Sequence, residues 1–149
     1  MVFQWKEGTR HKVDANIAGA MCSEMEKAGT LTAANLVEAN RSEDAPLHAE
    51  FDWNDTQAAE KWRCHQARNI INSIVLVQDD TATDPVRCYF KVEAKSNNYE
   101  NIEAIVRDED KYASLLKAAL RELIAFQKKY AALKELRNVF AAIDELEGA

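Results

Sequence analysis

The stretch DEDKYASLLKAALRELIAFQKKYAALKELRNVFAAIDEL, Asp108 to Leu146, decides the fold. It runs almost forty residues without a glycine or a proline. A continuous helix over it would be roughly 55 Å long at ~1.5 Å per residue, longer than a small domain is wide. Asp108 or Asp110 can cap its start, because a short acidic side chain accepts from the unpaired first amides and suits the positive end of the helix dipole. Gly148 lies just past the last apolar residue, Leu146, and marks the stop. Tyr112, Leu116, Ala119, Leu123, Phe126, Tyr130 and Leu133 follow an alternating four-three spacing, the period of a coiled-coil seam. The seam falters at Arg137, and the apolar set shifts to Leu136, Val139, Phe140, Ile143 and Leu146. That turn is much larger than the ~20° per heptad of a steady supercoil. The two halves are therefore expected to face different neighbours. Tyr112 to Leu133 would close the chain's own core over a sheet and the Trp62 face. Leu136, Val139, Phe140, Ile143 and Leu146 would form a partner interface; a core helix packed wholly on its own domain is the plainer alternative.

At 149 residues the chain is expected to form one domain, 1–149, able to bury about two-thirds of its unfolded surface. Its 47% hydrophobic and 30% charged residues are ordinary for a globular protein, and only 4 Gly and 2 Pro favour helix. A net charge of −6 argues against broad attachment to nucleic acid or an anionic membrane. No run approaches ~18 apolar residues, and the start MVFQWKEGTRHK has no signal-peptide core. A cytoplasmic location is expected, or release into the cytoplasm before assembly. Cys22, Cys64 and Cys88 are odd in number with no CxxC pair, so free thiols are the default. A zinc site drawn from them and His11, His48 or His65 would need ligands from four segments, and neither metal nor cofactor is expected.

Taken in order, residues 1–12 read as an arm whose Phe3 and Trp5 dock on the body. Residues 13–72 read as helical. Asp14 caps a first helix with Val13, Ile17, Met21, Met25 and Ala28 on its inner face, and Gly29 ends it. Thr32 caps a second helix reaching about Arg41, with Leu31 and Leu36 at staple positions. PLHAEFDWND, Pro46 to Asp55, is an extended or single-turn connector pinned by Leu47, Phe51 and Trp53. Asn54 or Asp55 opens a third helix to about Asn72, whose inner face is Ala59, Trp62, Ala67, Ile70 and Ile71. Arg63 falls inside that apolar sector and must be paired, since an unpartnered buried guanidinium is costly. Glu24, Glu38, Asp52 and Glu122 are its candidate partners. Residues 73–107 read as a β-meander of two or three antiparallel strands. Ile74 to Val77 is a strand buried on both faces, Asp79 to Pro85 a loop, Val86 to Val92 a half-buried strand, and Tyr99 to Arg107 a third with Ile102, Ala104 and Val106 inward. Residues 108–147 complete the chain as one long helix. The fold class is α+β, mainly α, with a helical N-terminal half, a small antiparallel meander and a long C-terminal helix.

No GxxxxGK[ST], GxGxxG, HExxH or GxSxG motif is present, and the paired acids sit where loops and caps want them. Cys64 and His65 diverge by ~100° on a helix and cannot act as a nucleophile–base pair. The chain is read as a non-enzyme. Lys61, His65 and Arg68 line one side of the third helix, and with Arg41 they are the candidate nucleic-acid contacts of a secondary reading. In it the pair of short helices at 14–41 resembles a helix-turn-helix, with Lys6, Arg10 and Lys12 as an arm. A surplus of acid at Glu38, Glu43, Asp44, Glu50 and Asp52 opposes it.

The segment LTAANLVEANRSEDAPLHAEFDWNDTQAAEKWRCHQARNII, with its PLHxxFxW and AAxxxRxxQAR patterns, resembles uncharacterised small proteins of bacteriophages and prophages. The likeness is strongest over Thr32 to Ile71 and weaker over YAALKELRNV, Tyr130 to Val139. It implies a phage or prophage source and carries no catalytic residues with it. The favoured reading is a non-enzymatic phage interaction or assembly protein, a homo-oligomer or binder of a protein partner through its C-terminal helix, with no membrane. An acidic inhibitor of a host nucleic-acid enzyme is a further class.

Overall fold

A computed structural model describes residues 2–54, 57–77, 84–93 and 95–149. The fold is α+β and mainly α. Its elements are β1 (Val2–Trp5), α1 (Ala15–Lys27), α2 (Ala33–Ala39), a 3₁₀ turn (His48–Glu50), α3 (Gln57–Ser73), β2 (Ile74–Val77), β3 (Val86–Arg87), β4 (Tyr89–Phe90), β5 (Glu100–Asn101), α4 (Ile102–Arg107), α5 (Glu109–Lys129), a second 3₁₀ turn (Lys134–Leu136) and α6 (Arg137–Glu147). The expected cap of α3 at Asp55 and most of the loop from Asp79 to Pro85 lie outside the described residues. The expected single domain is two compact units, 1–105 and 106–149.

In the first unit the N-terminal arm is a strand. β1 pairs antiparallel with β2, placing Phe3 opposite Leu76 and Trp5 opposite Ile74, and β2 pairs in turn with β3. A strand of only four residues, with two aromatic side chains inward, gives too short an alternation to register as one. Ile74, Val75 and Leu76 are buried, as a strand covered on both faces requires. The expected strand from Val86 to Val92 breaks at Cys88. That residue donates its amide to Ile74 and accepts from the amide of Ile102, so it joins the sheet to the separate β4–β5 ribbon. Tyr89, expected on the wet face, is fully buried.

The third strand expected from Tyr99 to Arg107 stops at Asn101, where a helix begins. The Asn101 side chain accepts from the amide of Glu103 at 2.8 Å, a capping bond that starts α4. Ile105 is the buried residue there, and Ala104 and Val106 face outward. A cap of this kind outweighs the β-branched composition that suggested a strand.

α1 begins at the expected cap, the Asp14 carboxylate accepting from Asn16, and stops at Gly29, whose φ of +70° only glycine adopts cheaply. Its inner face is the expected one only in part: Val13, Met21 and Met25 pack half-buried against the core. Ala15, Ala18, Gly19 and Cys22 are buried, and Ile17 is exposed. The Phe3 ring lies against Gly19 so closely that a Cβ there would overlap it. The strand's approach thus centres the contact on the small-residue face of the helix, one step round from the face of larger side chains. Asn16 fixes the contact by accepting from the Phe3 amide at 2.9 Å. Thr32 caps α2, and the staple residues Leu31 and Leu36 are both buried, as read from the sequence.

Cys22 and Cys88 are fully buried and Cys64 is half-buried, all three as free thiols. Burial, and for Cys22 its proximity to Cys88, pushes both enclosed thiols up to about 12. A thiol-reactive reagent at pH 8 is therefore expected to modify Cys64 rapidly in the native chain. The other two should react only after denaturant is added. Two or three fast-reacting thiols in the folded state would contradict the packing of α1 against Cys88.

The second unit replaces the continuous 108–147 helix. Asp108 caps α5 as expected, accepting from the amides of Asp110 and Lys111. α5 ends at Tyr130, Leu133 is extended, and α6 packs back on α5. Gln127 donates to Asp144 at 3.0 Å, and the rings of Phe126 and Phe140 meet edge-on at 6.4 Å. In one straight helix Gln127 and Asp144 would stand roughly 25 Å apart. No glycine, proline or positive-φ residue marks the reversal. Ala131 and Ala132 are strong helix formers, so packing of two apolar stripes overrides propensity there.

Candidate functional site

Sequence reasoning marked Leu136, Val139, Phe140, Ile143 and Leu146 as one outward stripe. The hairpin divides them. Ile143 is buried at 3% exposure, Leu136 and Phe140 are half-buried, and only Val139 and Leu146 are exposed. Phe140 is turned to Phe126 inside the unit.

The larger apolar surface is on α5, the helix expected to close a core. None of its residues is buried. Tyr112 is 49% exposed, Leu116 55%, Leu123 39% and Phe126 41%, with Ala119 exposed between them. These are the four-three seam residues, so a coiled-coil stripe faces outward along most of the helix. Leu115, Leu120 and Ile124, off that stripe, are half-buried. The seam was legible in the sequence, but the neighbour assigned to it was not. Charge is unevenly placed along the same helix. Glu109 and Asp110 stand in its first turn and Lys128 and Lys129 in its last. That polarity suits the helix's own dipole.

Lys61, His65 and Arg68 are exposed on α3, and His65 stacks on Trp62 with ring centroids 5.2 Å apart. Trp62 is 51% exposed, not on the inner face. Helical position alone placed it one step too far round, and Arg63 takes the inward place beside it. Arg68 instead borders a small recess with Cys64, Lys91 and Tyr99. Arg41 is engaged by two carboxylates, Glu38 and Glu60, each at 2.7 Å.

Arg63 is a structural centre. It is 3% exposed, donates to the backbone carbonyls of Asp52 and Asn54, and forms a 2.7 Å ion pair with Glu60. Among the contacts of the described residues, Glu60 is a carboxylate not considered from the sequence, and Asp52 contributes its carbonyl. The partner is three residues back on the same helix, where i,i+3 geometry brings side chains together. Glu60 bridges Arg63 and Arg41, whose hydrogen bonds hold its carboxyl below the usual carboxylate range. Both guanidinium groups lie over Trp53, at 5.1 and 5.8 Å, and Trp53 stacks on His48 at 4.8 Å. The PLHAEFDW connector is thus clamped between α2 and α3, with Leu47 and Phe51 in the core.

Asn40 was missed. It is fully buried, donates to the Leu36 carbonyl and accepts from the Leu47 amide, so it holds the connector's start. A polar residue at the end of a short helix carries no sequence signal that separates a latch from a solvated C-cap.

Among the described residues, no group of three or more His, Cys, Asp or Glu is placed to hold a metal ion, and no helix is long and apolar enough to cross a membrane. Comparisons with protein-family models, with curated proteins and with solved structures find no match to this chain.

Proposed function

We propose that the chain is a non-enzymatic interaction or assembly protein that self-associates through its C-terminal hairpin. The resemblance of its central segment points to a phage or prophage source. The observation that carries the reading is the outward seam of α5. Four large apolar side chains on one stripe, each at least 39% exposed, are an interaction surface by the ordinary rule for exposed apolar patches. The occupant is a second copy of α5. A heptad seam is complementary to another helix of the same period. The acidic start and basic end of α5 complement each other when two copies run antiparallel. The interface proposed from the sequence on α6 gives way to one centred on α5, with Val139 and Leu146 as the remaining exposed positions beside it.

Leu116→Asp/Leu123→Asp is expected to yield a folded monomer, read by light scattering with circular dichroism unchanged. Val139→Asp/Leu146→Asp should leave the oligomer in place. Equal masses for the wild type and the α5 variant would overturn the α5 assignment, and dissociation by the α6 variant alone would return the interface to the C-terminal stripe.

A further inference from the structure

A second site lies in the first unit, around His11. The imidazole is nine-tenths buried, with its side chain 7% exposed, and it stacks on Trp5 at 3.6 Å between ring centroids. Its Nδ1 lies 3.2 Å from Glu50 Oε2. Glu50 spends its other oxygen on the amides of Lys12 and Val13, at 2.6 and 2.7 Å. A carboxylate only accepts, so Nδ1 carries a proton and the ring's remaining hydrogen-bonding atom is Nε2. That atom is buried and meets no partner among the described residues. Stacking and the Glu50 bond explain why the ring is held. They leave Nε2 without a reason to be enclosed, since a buried polar atom without a partner is destabilising.

His11 borders a cleft of about 360 Å³ with Lys6, Arg10, Asn69 and Asn72. Among the described residues neither Lys6 nor Arg10 has a carboxylate within ion-pair distance. Glu7, the nearest acid in sequence, lines a different cleft, one that shares Lys6 with this one. Asn72 accepts from Arg87 through its oxygen at 2.6 Å, which leaves its amide nitrogen able to donate. The wall therefore offers two cations, an amide donor and an imidazole nitrogen without a partner among the described residues.

We propose that this cleft binds a phosphate group, held by Lys6, Arg10 and Asn72 beside Nε2 of His11. The group can belong to a small phosphorylated molecule or to a nucleic-acid backbone; both present the same oxyanion. The test is a heteronuclear NMR titration of the full chain with inorganic phosphate, a 5′-mononucleotide and a short single-stranded oligonucleotide. Expected are saturable shifts of the His11 ring and of the Lys6, Arg10 and Asn72 amides with at least one probe. Lys6→Gln/Arg10→Gln, at exposed positions that leave the fold intact, should weaken that binding roughly tenfold or more. His11→Gln should remove it while the β1 signals persist. Tightest binding of the oligonucleotide, falling steeply with salt, assigns the site to nucleic acid. Equal or tighter binding of the mononucleotide assigns it to a small phosphorylated molecule. Absence of saturation with all three probes, or shifts unchanged in Lys6→Gln/Arg10→Gln, overturns the proposal.

Discussion

Gly19→Ala is expected to destabilise the chain by a net ~2 kcal/mol, although alanine is the better helix former. In an open helix the substitution would gain about 1 kcal/mol from backbone entropy. At Gly19 the added methyl meets the Phe3 ring, and Phe3 cannot retreat. Its amide is held by Asn16, its strand is paired with β2, and its side chain is buried. Overpacking of this kind typically costs about 1–3 kcal/mol, more where the backbone must shift. Denaturant unfolding should show a lower midpoint with an unchanged slope. Phe3→Leu in the Gly19→Ala background should recover part of the loss, a coupling expected only of residues in contact. A neutral or stabilising Gly19→Ala would contradict the close approach of β1 and α1.

The second large effect is at Arg63. Arg63→Met keeps much of the volume but strips the donors that serve Asp52, Asn54 and Glu60. Two carbonyls of the connector lose their charged partner, and Trp53 loses one of the two cations over its ring. A loss of about 3 kcal/mol follows from breaking a buried, multiply bonded charge. Arg63→Lys should recover less than half, because an ammonium lacks the fork that reaches three acceptors at once. The acid limb carries a second signature. Glu60 has its carboxyl lowered chiefly by Arg63 and then by Arg41. A carboxyl lowered in the folded state contributes stability above its unfolded value of about 4.5 and loses it as pH falls below that. Arg63→Met should therefore flatten the fall in stability below pH 4.5, while Arg41 retains part of it. An unchanged acid limb would remove Glu60 from the cluster.

Caps and stops were legible because they are local. Asp14, Gly29, Thr32 and Asp108 act on amides and carbonyls within four residues, so the signal and its effect share one stretch of chain. The strand Ile74 to Val77, buried over its first three residues, was legible for the same reason. The inner face of α1 was legible only in part: Val13, Met21 and Met25 pack on the core as read, but Phe3, sixteen residues away, centres the buried face on Gly19. Arg63 was correctly placed inside the apolar sector of α3. Its partner was sought at a distance, while Glu60 stood one turn away on the same helix. The reversal after Tyr130 left no breaker in the sequence; only the turn of the apolar stripe between Leu133 and Leu136 betrayed it. That stripe shift was seen, but a rotation of period cannot tell a partner's surface from the chain folding back on itself. The His11 cleft joins residues near 6–11 to residues near 69–73 through the pairing of β1 with β2, a contact no local pattern carries.

Sedimentation equilibrium of the unaltered full chain tests the central claim, that α5 is an association surface. Across the micromolar range the average mass should rise towards twice that of one chain, and Leu116→Asp/Leu123→Asp should hold it at one. A constant single-chain mass up to the highest of those concentrations would contradict it.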